Sequence, residues 1–238
     1  MTLGLEWIEQ RCREAAEQIS LCRALMTPVI PCCRRHDFAR CASDLGLEHH
    51  HSIVSLVRLD AFGTAAALLR PLLEASAAAW WLTYAATDAE ILALPTTTVE
   101  GHIEDLPLLT DMGKGLEAHF PPITKIVEGF TKKGTRSSKW LHQYTHGGTP
   151  QLLRRQPVGF WTIPDVSLTL VRADMFGLLA AAIDLARTDN PHLESYLYPR
   201  RDQIGEDLHQ IFGVDKLEPQ ARSFPKSTAT CCGDPLFK

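Results

Sequence analysis

The stretch DAFGTAAALLRPLLEASAAAWWLTYAA, residues 60–86, is the most apolar part of the chain and constrains its fold most. Alanine and leucine dominate it, so it reads as a central helix buried on every side. Pro71 lies inside it and deletes a hydrogen bond to the carbonyl of Ala67, which predicts a kink there. Arg70 and Glu74 cut the run into apolar pieces of about nine and eleven residues, short of the roughly 20 that a membrane span needs. Such a helix needs other elements packed around it.

The rest of the pattern supplies them as helices. Leu5, Ile8, Cys12, Ala15, Ala16, Ile19 and Cys22 recur at steps of three and four, marking a helix over about 4–26 that ends before Pro28 and Pro31. A second helix is expected over about 38–59, with His49, His50 and His51 in its middle. Residues 87–120 are acidic and irregular and suit a short helix or two with loops. PPITKIVEGFTKKG starts a helix at Pro121 and Pro122 and stops before Gly134. TRSSKWLHQYTH forms the next, with Thr135 or Ser137 as N-cap and Gly147 as the C-terminal stop. VSLTLV alternates like a strand, but Pro164 and Asp165 before it and MFGLLAAAIDLAR after it favour one helix to about Arg187. A last helix spans about 191–212. No internal repeat and no low-complexity tract is present. The expectation is an all-α single bundle of about five to seven helices over residues 1–216, followed by a polar, flexible tail over 217–238.

Composition fits one ordinary globular domain, with 45% hydrophobic and 22% charged residues in 238. A net charge of −4 argues against a wholesale nucleic-acid or membrane coat, but its distribution is uneven. Residues 125–155 carry Lys125, Lys132, Lys133, Arg136, Lys139, Arg154 and Arg155 against the single acid Glu128. A basic surface in an otherwise acidic protein follows. The seven cysteines form no CxxC pair, which excludes a zinc ribbon or thioredoxin motif and reads as small buried hydrophobes. The charged, amphipathic N-terminus lacks the apolar core of a signal peptide, so a cytoplasmic protein with reduced thiols is expected.

Two constellations carry candidate chemistry. In KWLHQYTHGG, His142 and His146 stand one helical turn apart, so their rings can share a partner. They suit acid–base work near neutral pH, or packing with Trp140 and Tyr144. Zinc would need a third ligand such as His102 or His119, and Gln143 stands where an H-E-x-x-H helix carries its glutamate; we expect no metal and no cofactor. Arg70 and Glu74, spaced i,i+4 among apolar neighbours, read either as a structural or helix-edge ion pair or as the polar lining of a cleft. Arg154 and Arg155 suit phosphate as paired guanidinium forks, or a solvated loop. Three consecutive histidines diverge by about 100° each around a helix, cannot ligate one ion, and read as solvated or capping groups. Walker, G-x-G-x-x-G, G-x-S-x-G and kinase signatures are absent.

AALLRPLLEASAAAWWL, followed some seventy residues later by LHQYTHGGTPQLLRR, resembles an uncharacterised family of bacterial helical proteins that is similar to the HEPN superfamily. The resemblance covers roughly residues 40–190. It implies a helical bundle, often dimeric, of the kind found in toxin–antitoxin and phage-defence systems. Active members share an Arg-x4–6-His motif that cleaves RNA without a metal. The motif histidine falls on His146, where the arginine window holds Lys139, Trp140 and Leu141; counted from Arg136, His142 satisfies the spacing instead. The reading implied is a metal-independent endoribonuclease. His146 and His142 would exchange protons, Arg70 would stabilise the phosphorane with Glu74 holding it, and Arg136, Lys139, Arg154 and Arg155 would bind RNA. The alternative is a non-catalytic RNA- or protein-binding subunit, with a cognate protein partner or a homodimer.

Overall fold

A computed structural model describes residues 4–26, 33–94, 106–156 and 160–212; the polar tail over 217–238, His102 and the Pro28–Pro31 break lie outside the described residues. The architecture is all-α. Eleven helices are present among the described residues, in the order α1 (Leu5–Leu25), α2 (Arg34–Arg58), α3 (Phe62–Ala67), α4 (Leu69–Tyr84), α5 (Asp88–Ala93), α6 (Leu109–Leu116), α7 (Pro121–Thr131), α8 (Arg136–Thr145), α9 (Thr149–Leu153), α10 (Ile163–Arg187) and α11 (Pro191–Phe212). Seven of them, α1, α2, α4, α7, α8, α10 and α11, have ten residues or more.

The centre is a three-helix packing of α2, α4 and α10. Its close approach is made by small residues. A Cβ added to Gly46 of α2 would lie 2.9 Å from the Ala180 Cβ of α10, so these helices meet almost backbone to backbone. Carbonyls of α10 accept extra hydrogen bonds from both neighbours: Ser43 Oγ to Ala180 at 2.7 Å, Ser76 Oγ to Phe176 at 2.9 Å and Trp80 Nε1 to Leu179 at 2.9 Å. Buried Trp80 stacks on Tyr84 and Phe120. The helix end of α4 is closed by buried Arg35, which donates to the carbonyls of Leu82 and Ala86 at 2.7 Å each and satisfies acceptors that the helix itself leaves orphaned.

VSLTLV is helical, within α10. A Thr162–Asp165 capping box starts that helix and Pro164 occupies its first turn. Its residues Ile163–Leu185 are long and apolar enough to cross a membrane, with mean hydropathy 1.7, but 78% of the window is buried inside the fold. The covering helices α2, α4, α1 and α11 account for that apolarity.

The expected kink at Pro71 is a one-residue interruption at Leu68, which keeps right-handed dihedrals (φ −75°, ψ −11°) and still donates to the Thr64 carbonyl and accepts from the Leu72 N–H. α3 ends at Ala67 and α4 begins at Leu69, because Pro71 has no N–H to offer the Ala67 carbonyl. Helix α8 crosses α3 at this point, and the Thr145 hydroxyl lies 3.5 Å from the released carbonyl. The interruption therefore brings the end of α8 beside the start of α4.

Candidate functional site

Helix α8 starts where its sequence says it should. The Thr135 hydroxyl accepts from the Ser138 N–H, and after ten residues the helix ends at His146. One face is buried through Leu141 and Tyr144, while Lys139, His142 and His146, spaced by three and four, form an exposed stripe. The two imidazoles lie with ring centroids 4.6 Å apart and planes at 53°. Trp140 and Tyr144 pack on each other instead, at 4.5 Å.

Both glycines after His146 belong to the helix stop. Gly147 adopts φ +64°, the left-handed conformation that a Cβ disfavours, and Gly148 N–H donates to the Gln143 carbonyl at 2.6 Å. This is a Schellman closure, and a side chain at Gly148 would press on the backbone of Gln143. The Gln151 amide then donates to the Tyr144 carbonyl and to the Gly63 carbonyl, tying α9 to α8 and α3. His146 is thus held at a helix end that stays open to solvent.

Arg70 and Glu74 form an ion pair, Nε to Oε1 at 2.8 Å, with side chains 33% and 39% exposed. The pair sits at the partly exposed edge of α4, one turn after the Ala67 carbonyl that Thr145 approaches. Arg155 and Lys139 are exposed. Arg154 is engaged inside the molecule: Nη1 reaches Asp165 Oδ2 and the Phe160 carbonyl at 2.6 Å each, and its guanidinium covers Trp161 at 4.9 Å. Burial alone would raise the Asp165 pKa, but the bonds from Arg154 and Thr162 hold it below the ordinary carboxylate value. Arg136 opens α8, and its side chain lies outside the described residues. Among the described residues no group of three His, Cys, Asp or Glu is placed to hold a metal ion. His119 is exposed after α6.

The histidine triplet departs from expectation. His51 is exposed, His49 is half-buried, and His50 is fully buried, its Nε2 2.8 Å from Asp174 Oδ1. Asp174 anchors a buried network across four helices. Arg11 Nε lies 2.8 Å from its Oδ2, at an angle too poor for a hydrogen bond, so the contact is an ion pair by distance. Arg200 Nη2 reaches the same oxygen at 3.1 Å. Arg11 also holds Asp207 at 2.7 Å, and the Gln18 side chain bridges the Asp174 carbonyl and Arg200 Nε. Burial pushes the Asp174 pKa up, and the His50 hydrogen bond with the Arg11 and Arg200 charges overrides it, so the carboxyl stays below its usual range. His50 Nδ1 finds no hydrogen-bond partner among the described residues, and it is the ring atom nearest to Gly177.

Sequence patterns do not expose this network, because its members sit on four elements far apart in the chain. Two local signals point toward it: an aspartate between Ala173 and Met175 in the middle of an apolar helix, and a mid-helix glycine three residues later. Its elements also show what kind of feature it is. Every member is buried or half-buried between α1, α2, α10 and α11, which makes it a structural clamp.

No curated protein and no solved structure matches the chain. Residues 43–203, which span α3 through α10 and most of α2 and α11, match the family described as a family of unknown function, DUF6988. The chain belongs to that family.

Proposed function

We propose that the exposed face of α8 engages single-stranded RNA and cleaves it without a metal, as an endoribonuclease of HEPN-like, toxin or defence type. The observation that carries this reading is the pair of solvent-accessible imidazoles, 4.6 Å apart, on one stripe with Lys139. One neutral imidazole accepts the proton of an RNA 2′-hydroxyl as that oxygen attacks phosphorus. The other, protonated, gives a proton to the departing 5′-oxygen, leaving a 2′,3′-cyclic phosphate and a 5′-hydroxyl. Lys139 lies one turn from His142 and supplies positive charge for the phosphorane. Arg70, oriented by Glu74, adds a second cation from the neighbouring start of α4. Arg155 extends the basic surface; Arg154 remains with Asp165. The Arg136-x5-His142 spacing supports the HEPN-like assignment.

A second reading, a non-catalytic RNA- or protein-binding subunit, is favoured by one observation. His142 and His146 are both exposed, so the imidazoles work without the water exclusion that strengthens charge stabilisation. The experiment is cleavage of single-stranded RNA in EDTA. Wild type is expected to cut and leave cyclic phosphate ends, and His146→Ala to lose roughly 10²–10⁴-fold in rate with an unchanged melting temperature. RNA binding without cutting would replace the enzyme with the binding subunit.

A further inference from the structure

The hairpin of α6 and α7 is closed at its middle and open toward one end. A Cβ at Gly113 would lie 2.8 Å from Val127 Cγ1, and the Thr124 hydroxyl donates to the Gly113 carbonyl at 2.9 Å, so the two helices touch there. From that contact toward the start of α6 and the end of α7 runs a groove of about 350 Å³. Thr110, Lys114, Glu128, Thr131, Lys132 and Lys133 line it. Three ammonium groups thus share the groove with one carboxylate. The 3.2 Å contact of Lys114 with Asp111 joins side chains 76% and 52% exposed, a pairing that water and salt weaken.

The groove is placed next to the α8 stripe by the chain itself. Lys132 caps α7, Gly134 turns at φ +89°, and Thr135 caps the start of α8. His146 and Lys139 are seven residues apart, about 10 Å along the helix at 1.5 Å per residue. A strand running from His146 past Lys139 therefore heads toward Lys132 and Lys133.

We infer that this groove is a phosphate-binding site for the backbone of single-stranded RNA, contiguous with the α8 face; the inference rests on the reading of α8 given above. Lysine is a mobile point charge with no fixed fork, so the site holds phosphates regardless of base identity. Glu128 in its lining, with Asp111 beside Lys114, repels phosphate and limits the affinity.

The test is anisotropy of a fluorescein-labelled oligouridylate, long enough to cover a site of roughly 4–16 nucleotides, titrated at several KCl concentrations. The double variant Lys132→Gln/Lys133→Gln should bind more weakly and lower the salt slope by about 1.4, at about 0.7 for each phosphate left without its lysine. Glu128→Gln should bind more tightly than wild type. Binding that falls with Lys139→Gln yet is unmoved by the groove variants overturns the groove and leaves α8 standing. Binding that falls only with the groove variants supports the groove and removes α8. Failure of wild type to bind the oligouridylate, with capture of a labelled polyglutamate instead, overturns both and makes the groove a seat for an acidic protein. Far-UV circular dichroism of each variant, expected to match wild type, separates unfolding from weakened binding.

Discussion

Gly177→Ala is the sharpest probe of the buried centre. The new Cβ would lie 2.3 Å from His50 Nδ1 and 2.9 Å from Cε1 and Cγ, where ordinary contact begins at 3.4 Å. The ring would have to retreat by about 1 Å, yet it is fully buried and its Nε2 is held 2.8 Å from Asp174. Forced overpacking of this kind costs about 1–3 kcal/mol. If the ring swings aside, a hydrogen bond to a charged group is broken, worth about 1.5–3 kcal/mol. Alanine recovers about 0.8–1.0 kcal/mol through its higher helix propensity. The net expectation is destabilisation of up to about 2 kcal/mol, with a fall in Tm of roughly 2–4 °C for each kcal/mol at this chain length. Urea and thermal unfolding followed by far-UV circular dichroism measure it. In a His50→Ala background the clash is gone, and the same Gly177→Ala change should stabilise the helix by up to about 1 kcal/mol. A Gly177→Ala effect of the same sign and size in both backgrounds would refute the contact between ring and helix as the cause.

Asp174→Asn removes the charge that Arg11 and Arg200 share; because Arg11 keeps Asp207 at 2.7 Å and Arg200 keeps Glu14 at 3.4 Å, the cost at neutral pH should stay below the about 3–5 kcal/mol of a fully orphaned buried charge. Because the folded carboxyl titrates below its ordinary range, its contribution is complete above the unfolded carboxylate pKa and is lost as pH falls below that value through the folded one. Wild type should therefore lose stability on acidification, and Asp174→Asn should show a shallower acid limb in pH-dependent urea melts. Glu74→Gln breaks a partly exposed pair and should cost no more than about 0.5 kcal/mol, while lowering any RNA cleavage by loosening Arg70; a large drop in Tm would show that the pair is structural.

The element boundaries are legible in the sequence because they are set by local chemistry. Pro121 at the start of α7, Thr135 capping α8, Gly147 ending it and the Pro164–Asp165 start of α10 each act within a few residues, so the chain declares them by itself. The interruption near Pro71 is visible for the same reason, since a missing N–H is a covalent fact. The stripe of Lys139, His142 and His146 is half legible. Helical spacing places the three on one face, and only packing of Leu141 and Tyr144 decides that this face looks outward. By sequence α9 looks like loop, because five residues carry too little periodicity to mark a helix that tertiary contacts through Gln151 hold in place.

His50 shows where sequence reading stops. His49, His50 and His51 are chemically identical and differ by about 100° of rotation, so which one enters the core depends on the face of α2 that meets α10. That choice is made by Gly46 and Gly177, which let the helices approach, and by Asp174, Arg11 and Arg200, which arrive from α10, α1 and α11 to satisfy the ring and one another. Burial of a polar group is favourable only when partners distant in sequence converge on it, and that convergence is a property of the tertiary structure alone.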